Sequence, residues 1–199
     1  MSSTNRKVRR AIADDYPTPD WCVRQLIREV PLPGGHWLEP TAGTGNIIRA
    51  VNNARQDITW DAVELRPECK DDLEEIPVIH STCIGDFMNI QPEEYSNPFS
   101  VIITNPPYSY AMPIIEHSLK FNTEFVVMLL RLNFIATGTR AEFMRTNTPD
   151  IYVLPNRPSF SGHGTDSIEY AWFVWNKNNK RNYGKIQVLP ILSSNKRKI

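Results

Sequence analysis

Cysteine is scarce in this chain and does not come in pairs: Cys22, Cys69 and Cys83 are odd in number, widely spaced and form no C-x-x-C motif. That excludes a disulfide-stapled scaffold and points to a reducing, cytoplasmic compartment. Histidine is as thin. His36, His80, His117 and His163 are scattered without metal-ligand spacing, so no metal is expected. Long apolar runs are missing too. The longest aliphatic stretch is Phe125 to Leu130, far short of the ~20 residues a bilayer span needs. The first ten residues are polar and basic, so neither membrane anchor nor secretory signal is expected.

Net charge is absent only on average, because 22 Lys and Arg balance 22 Asp and Glu. From Asp61 to Glu94 ten carboxylates face only Arg66 and Lys70, whereas Lys177 to Ile199 carries seven bases and no acid, and Arg6, Lys7, Arg9 and Arg10 make the start basic as well. Phosphate binding depends on local potential rather than on the total, so basic ends are compatible with a polyanionic partner. Solvated, frayed ends are the plainer alternative. The chain has 199 residues, 41% of them hydrophobic, and shows no repeat or low-complexity linker. One domain is expected, burying roughly 70% of its unfolded surface without disulfide or metal.

Periodicity places a first helix from Thr18, as its cap, and Pro19 through Val30, with Val23, Leu26, Ile27 and Val30 on one face. Strands are expected at Trp37–Leu38, Ile58–Leu65, Val78–Cys83, Val101–Thr104, Phe125–Leu130, Ile151–Leu154 and Tyr170–Trp175. Helices are expected at Asn46–Asn53, Glu68–Glu75, Ala111–Lys120 and Thr139–Thr146. Strand and helix alternate from Trp37 to about Leu130, which calls for an α/β fold with a mostly parallel sheet covered on both faces. Such sheets bind ligands at the carboxyl ends of their strands.

The turn after the first strand reads Glu39-Pro40-Thr41-Ala42-Gly43-Thr44-Gly45. Its glycines let backbone amides approach a ligand beside a helix N-terminus. Glu64 ends the second strand nineteen positions after Gly45, and Asp86 follows the third. A carboxylate at that separation can accept hydrogen bonds from a ribose diol. The loop departs from G-x-G-x-x-G, and instead resembles the first motif of S-adenosylmethionine-dependent methyltransferases. The resemblance implies a Rossmann-like class I sheet of seven strands with S-adenosylmethionine as cofactor. It places Glu39, Pro40, Gly43 and Gly45 against the methionine part, Glu64 on the ribose, Asp86 on the adenine amino group and Phe87 beside the adenine ring.

After the fourth strand stand Asn105-Pro106-Pro107-Tyr108. This tetrapeptide resembles the (D/N/S)-P-P-(Y/F) motif of amino methyltransferases. An exocyclic amine on a base is a poor nucleophile because its lone pair is delocalised into the ring. By resemblance, the Asn105 side-chain oxygen and the Pro106 carbonyl accept the two amino hydrogens, Pro107 stiffens the turn, and Asn105 also borders the cofactor. Rigid prolines hold the acceptors in place, which is catalysis by positioning rather than by a strong base. A base inside a duplex must be extruded to be reached. Tyr108 on one face and Phe160, from Arg157-Pro158-Ser159-Phe160, on the other are the candidates for stacking on it. Ser161 to Asp166 reads as a mobile loop, and His163 within it is not read as catalytic. Asp14-Asp15-Tyr16-Pro17-Thr18-Pro19 resembles the motif that closes over the cofactor's methionine carboxylate, with Tyr16 and Thr18 as contacts.

The resemblance spans about Asp14 to Trp175. It is closest to small phage-type DNA N6-adenine methyltransferases, acting in the cytoplasm of a bacterium or an infected host cell. It implies a methyltransferase domain over 14–176, and outside it the charge pattern leaves a basic arm over 1–13 and a basic strand or tail over 177–199. No length remains for a separate target-recognition domain, so sequence preference is expected to be weak or very short, or to depend on a homodimer or specificity partner. DNA is the expected partner. N4-cytosine or RNA adenine methylation, protein glutamine methylation and a non-catalytic cofactor-binding subunit are the alternatives, in that order.

Overall fold

The computed structural model describes residues 17–95, 97–160, 167–179 and 183–197. Along the chain these form α1 (Asp20–Glu29), β1 (Gly35–Glu39), α2 (Asn46–Ala54), β2 (Ile58–Glu64), α3 (Lys70–Glu74), β3 (Ile79–Ile84) and β4 (Phe99–Thr104). There follow α4 (Ala111–Ser118), β5 (Thr123–Arg131), α5 (Ala141–Thr146), β6 (Asp150–Leu154), β7 (Tyr170–Asn176) and β8 (Ile186–Val188). The strands make one sheet in the order β3-β2-β1-β4-β5-β7-β6-β8. All neighbours are parallel except β7, which runs antiparallel to both β5 and β6. The strand order reverses between β1 and β4, the place where open α/β sheets bind ligands.

Successive side chains of the central strands enter two separate cores. Trp37, Val101, Ile103, Val127 and Trp172 pack on one side with α1 and α2, through Val23, Leu26, Ile48 and Val51. Leu38, Ile102, Val126, Met128 and Phe173 pack on the other with Ile114 and Ile115 of α4. β7 is buried at every position from Tyr170 to Trp175, as a strand covered on both faces must be. The indole N–H of Trp172 donates across the core to the Cys22 carbonyl at 3.0 Å, tying α1 to the strand that breaks the parallel pattern. Among the described residues no helix is long and apolar enough to cross a membrane.

The structure corrects several expected boundaries. Pro19, not Thr18, stands at the N-cap of α1, with no side-chain cap; Thr18 is buried and turned to another use described below. The helix expected over Glu68–Glu75 is a 3-10 turn at Pro67–Cys69 followed by the single turn and a half of α3. α4 stops at Ser118 because Lys120 and Phe121 donate back to His117 and Ser118, tightening the last turn so that Phe121 enters the core at 1% exposure. An eighth strand joins the expected seven: β8, from the basic 177–199 stretch, pairs parallel with β6. A three-residue strand gives periodicity little to repeat, so the sequence reads as strand or tail over this stretch, and its pairing with β6 decides for the strand.

Trp172→Phe leaves the Cys22 carbonyl without its indole donor and opens space beside α1. Unfolding in urea is expected to show a loss of about 1–3 kcal/mol.

Candidate active site

The site is built from chain reversals at the carboxyl ends of β1 to β4. β1 delivers Glu39 into a turn that ends at Gly45, the N-cap of α2. Gly43 and Gly45 have φ of 56° and 81°, the left-handed region that favours glycine. At Gly45 a Cβ would also stand 2.4 Å from Ile76 Cδ1. The Ile76 side chain would have to shift to admit one, so the positive φ is the stronger reason for glycine here. The loop is then pinned from both sides. The Gly43 N–H donates to Glu64 Oε2 at 2.6 Å, and the Thr41 and Thr104 hydroxyls meet at 2.5 Å. That second contact joins the glycine loop to the residue immediately before Asn105.

Glu64 is a hub. Its other oxygen accepts from the Arg66 backbone N–H and from Arg66 Nε, both at 3.0 Å. Among the described residues, three donors use three of the roughly four lone-pair positions a carboxylate offers, which leaves one for a further hydroxyl. Glu39 differs sharply. It is 2% exposed, its Oε2 has no partner among the described residues, and it stands close enough to Glu64 to feel its charge. Burial first and the Glu64 charge second push its carboxyl well above the usual carboxylate range, against a smaller opposing pull from the Ile48 backbone N–H.

These elements surround a cavity of about 230 Å³. Thr18, Glu39, Pro40, Gly43, Glu64, Asp86, Phe87, Asn105 and Pro107 line it. Asp86 is exposed, and its Oδ1 accepts from the Met88 N–H at 2.9 Å, which shapes the turn that presents it. Phe87 is 3% exposed and stacks on Phe121 with ring centroids 5.4 Å apart. Gly45 and Pro106 lie behind the lining, and Tyr16 falls outside the described residues, as do 161–166.

The two aromatics read from sequence as stacking residues do not line this cavity. Tyr108 packs against buried Tyr170 with centroids 5.8 Å apart, and the Arg131 guanidinium lies 4.5 Å from the Tyr108 ring centre. Phe160 is 6% exposed and edge-on to the same Tyr170 at 5.0 Å. The structure instead puts Tyr110 on the cavity wall, 42% exposed. Sequence reasoning passed over Tyr110, Arg66, Arg131 and Thr104, because none stands in a motif and each acquires its place only when β2, β4 and β5 are side by side. Among the described residues no group of three His, Cys, Asp or Glu could hold a metal ion.

The buried acid has a measurable signature. A carboxyl whose folded-state pKa is raised holds its proton more tightly folded than unfolded. Stability is therefore full below the unfolded value of about 4.3 and falls as pH rises above it. Glu39→Gln is expected to remove that slope, so thermal melts of the variant and the native protein diverge from pH ~4 toward neutrality, with the variant the more stable at the upper end.

No protein-family model matches the sequence, and no curated protein does. Solved structures share its fold. A Listeria monocytogenes protein provisionally assigned as a class I S-adenosylmethionine-dependent methyltransferase superposes with a TM-score of 0.64 at 15% identity, over 91% of this chain and 68% of that one. A predicted O-methyltransferase from Agrobacterium tumefaciens gives 0.61 at 16% identity, over 85% and 84%. The hMettl16 catalytic domain in complex with a MAT2A 3′UTR hairpin gives 0.56 at 11% identity, over 85% and 71%. The fold is that of class I S-adenosylmethionine-dependent methyltransferases: an α/β sheet, mostly parallel, with helices on both faces.

Proposed function

We propose that this chain is an S-adenosylmethionine-dependent methyltransferase that modifies the exocyclic N6 amine of adenine in DNA, with low or short sequence preference. The observation that carries the reading is that one cavity gathers the glycine loop, Glu64, Asp86 and the Asn105–Pro107 turn, which lie as much as 68 positions apart in sequence. The residues suit the cofactor. Glu39 has a carboxyl oxygen with no partner among the described residues at a site that would take a cationic ligand, Glu64 keeps capacity for a ribose hydroxyl, and Gly43 leaves the loop bare of side chain where the ligand would pass. Thr18, Pro40, Gly45, Asp86 and Phe87 complete the proposed cofactor set, with Tyr16 joining from outside the described residues. The bound cofactor supplies an electrophilic methyl group on a sulfonium.

The chain's own work is on the amine. The Asn105 side-chain oxygen and the Pro106 carbonyl accept its two hydrogens, which draws the nitrogen toward sp3 geometry and directs its lone pair at the methyl carbon. Pro106 is buried and Pro107 borders the cavity, so the acceptors sit on stiff backbone. As the N–C bond forms, the methyl C–S bond would break with its electron pair left on sulfur, and the methylated nitrogen would then lose a proton to solvent, a step that needs no strong base.

Tyr108 remains the proposed stacking residue. The base would have to exchange places with the Arg131 guanidinium over that ring. A cation–π contact at a partly exposed site is worth about 0.5–1 kcal/mol, while base stacking is worth about 1–3 kcal/mol, so the exchange runs toward the base. Phe160 is the proposed ring on the opposite side, which requires it to leave the edge of Tyr170. Support for a nucleic-acid substrate comes also from the structural neighbour solved with an RNA hairpin. RNA adenine is accordingly the second reading.

Labelled methyl transfer to duplex DNA, single-stranded DNA, RNA and protein, followed by nucleoside mass spectrometry, tests the proposal. N6-methyladenine in DNA is expected; label confined to protein or to cytosine overturns it. Asn105→Ala is expected to slow turnover by about 10²-fold or more, the scale of a misplaced reacting group, with cofactor affinity close to native. Tyr108→Ala should raise KM for DNA by the equivalent of about 1–3 kcal/mol without weakening the cofactor.

A further inference from the structure

Charge is sorted across this sheet as well as along the chain. Asp61 to Glu94 holds ten carboxylates and two bases, while Arg131 to Ile199 holds eleven bases and four carboxylates. The strand order carries the first segment to the β3 edge and the second to the β8 edge, about 34 Å apart at the usual strand spacing. At the acidic edge, Glu68, Asp71, Asp72, Glu74 and Glu75 around α3 are all exposed.

At the basic edge the topology selects a subset. β5, β6 and β8 run in the same direction and β7 against them. Residues that follow β5, β6 and β8 therefore gather at the carboxyl end, beside the active site. Arg131 closes β5, Arg140 follows it, Arg157 follows β6, and Lys196 and Arg197 follow β8. Among the described residues, Glu142 and Glu169 lie near these bases along the chain, Glu169 paired with Arg157, and Asp20 at the start of α1 is paired with Arg24. Arg140 is fixed by its Nε donating to the Phe134 carbonyl and by its guanidinium lying 4.1 Å from that ring's centre. Arg131 is the inner end of the series, over Tyr108 of the proposed catalytic turn.

Residues 189–192 are tied down against the rest of the fold. Leu189 is 2% exposed. The Pro190 carbonyl accepts from buried Gln25 Nε2 at 2.7 Å, and Asn156 clamps Leu192 through both its backbone groups, at 2.7 and 3.3 Å. Gln25 belongs to α1 and Asn156 to the turn after β6, so two separate elements use side chains to carry this segment up to the site end. What they deliver there is the 3-10 turn Ser194–Arg197 with its two bases.

We propose that Arg131, Arg140, Arg157, Lys196 and Arg197 form a phosphate track, along which the substrate's nucleic-acid backbone runs from the Asn105 turn toward the β8 edge. The acidic β3 edge repels the opposite course. This rests on the nucleic-acid reading above and adds which half of the protein surface holds the strand. The track needs no base contacts, which accords with a chain whose sequence preference is expected to be slight.

The test is the salt dependence of binding to a random-sequence DNA duplex. Removing one base that neutralises a phosphate flattens the slope of log K against log salt by about 0.9. The double change Lys196→Ala with Arg197→Ala is expected to flatten it by up to about 1.8, and Arg157→Ala by up to half as much, with cofactor affinity unchanged. Asp71→Asn with Asp72→Asn, at the far edge, should leave the slope as it is. Native slopes in the basic-edge variants, or an equal flattening in the acidic-edge control, overturn the track. Should the native protein show the expected slopes yet transfer no methyl group to DNA, the function fails and the track stands. Should it methylate DNA while Lys196 and Arg197 leave the slope unmoved, the track fails alone.

Discussion

The Glu64 carboxylate is the constraint on which the site's construction depends. It lies at the end of β2, 6% exposed, and takes hydrogen bonds from the Gly43 N–H and twice from Arg66. Those bonds hold the glycine loop in a left-handed conformation, and that conformation sets where α2 begins. The same acid stands near buried Glu39, whose proton it helps to retain. The pocket so formed holds two carboxyl groups side by side, one paired with Arg66 and the other kept neutral by its proton. The positive charge of the proposed cofactor would favour release of that proton.

A second consequence follows from where the strands lie. The Thr41–Thr104 contact couples the cofactor-side loop to the strand that carries Asn105, so the proposed binding and reacting halves share one rigid seam. To one side of it the surface is acidic, to the other basic. A sheet whose order turns outward from β1 and β4 keeps these regions at opposite edges, where screening over a Debye length of about 8 Å leaves each to act on its own. The proposed small cation and the proposed polyanion would thus meet separate regions of a molecule with no net charge.

Much of this was legible in the residues. The seven main strands, the glycine loop, Glu64 and Asp86 were readable because each belongs to a local pattern, a run of buried side chains or a residue at a strand's end. Asn105 was readable for the same reason, and the cavity brings it to the others. The start of α1, the shortness of α3 and the pairing of β8 with β6 were not. Those are decided by what the segment packs against, as when Phe121 enters the core and ends α4.

The chain alone determined its layered α/β class, the order of its chemical groups and its segregated charge, since periodicity, spacing and composition are properties of neighbours along a polymer. Only the tertiary structure decided that Arg131 covers Tyr108, that Tyr110 rather than Tyr108 faces the cavity, and that Gln25 and Asn156 bind down the basic C-terminal stretch. Each of these joins groups from different strands or helices. Their positions follow from how the sheet is ordered and how its two cores fill, and neither leaves a periodic mark in a one-dimensional sequence.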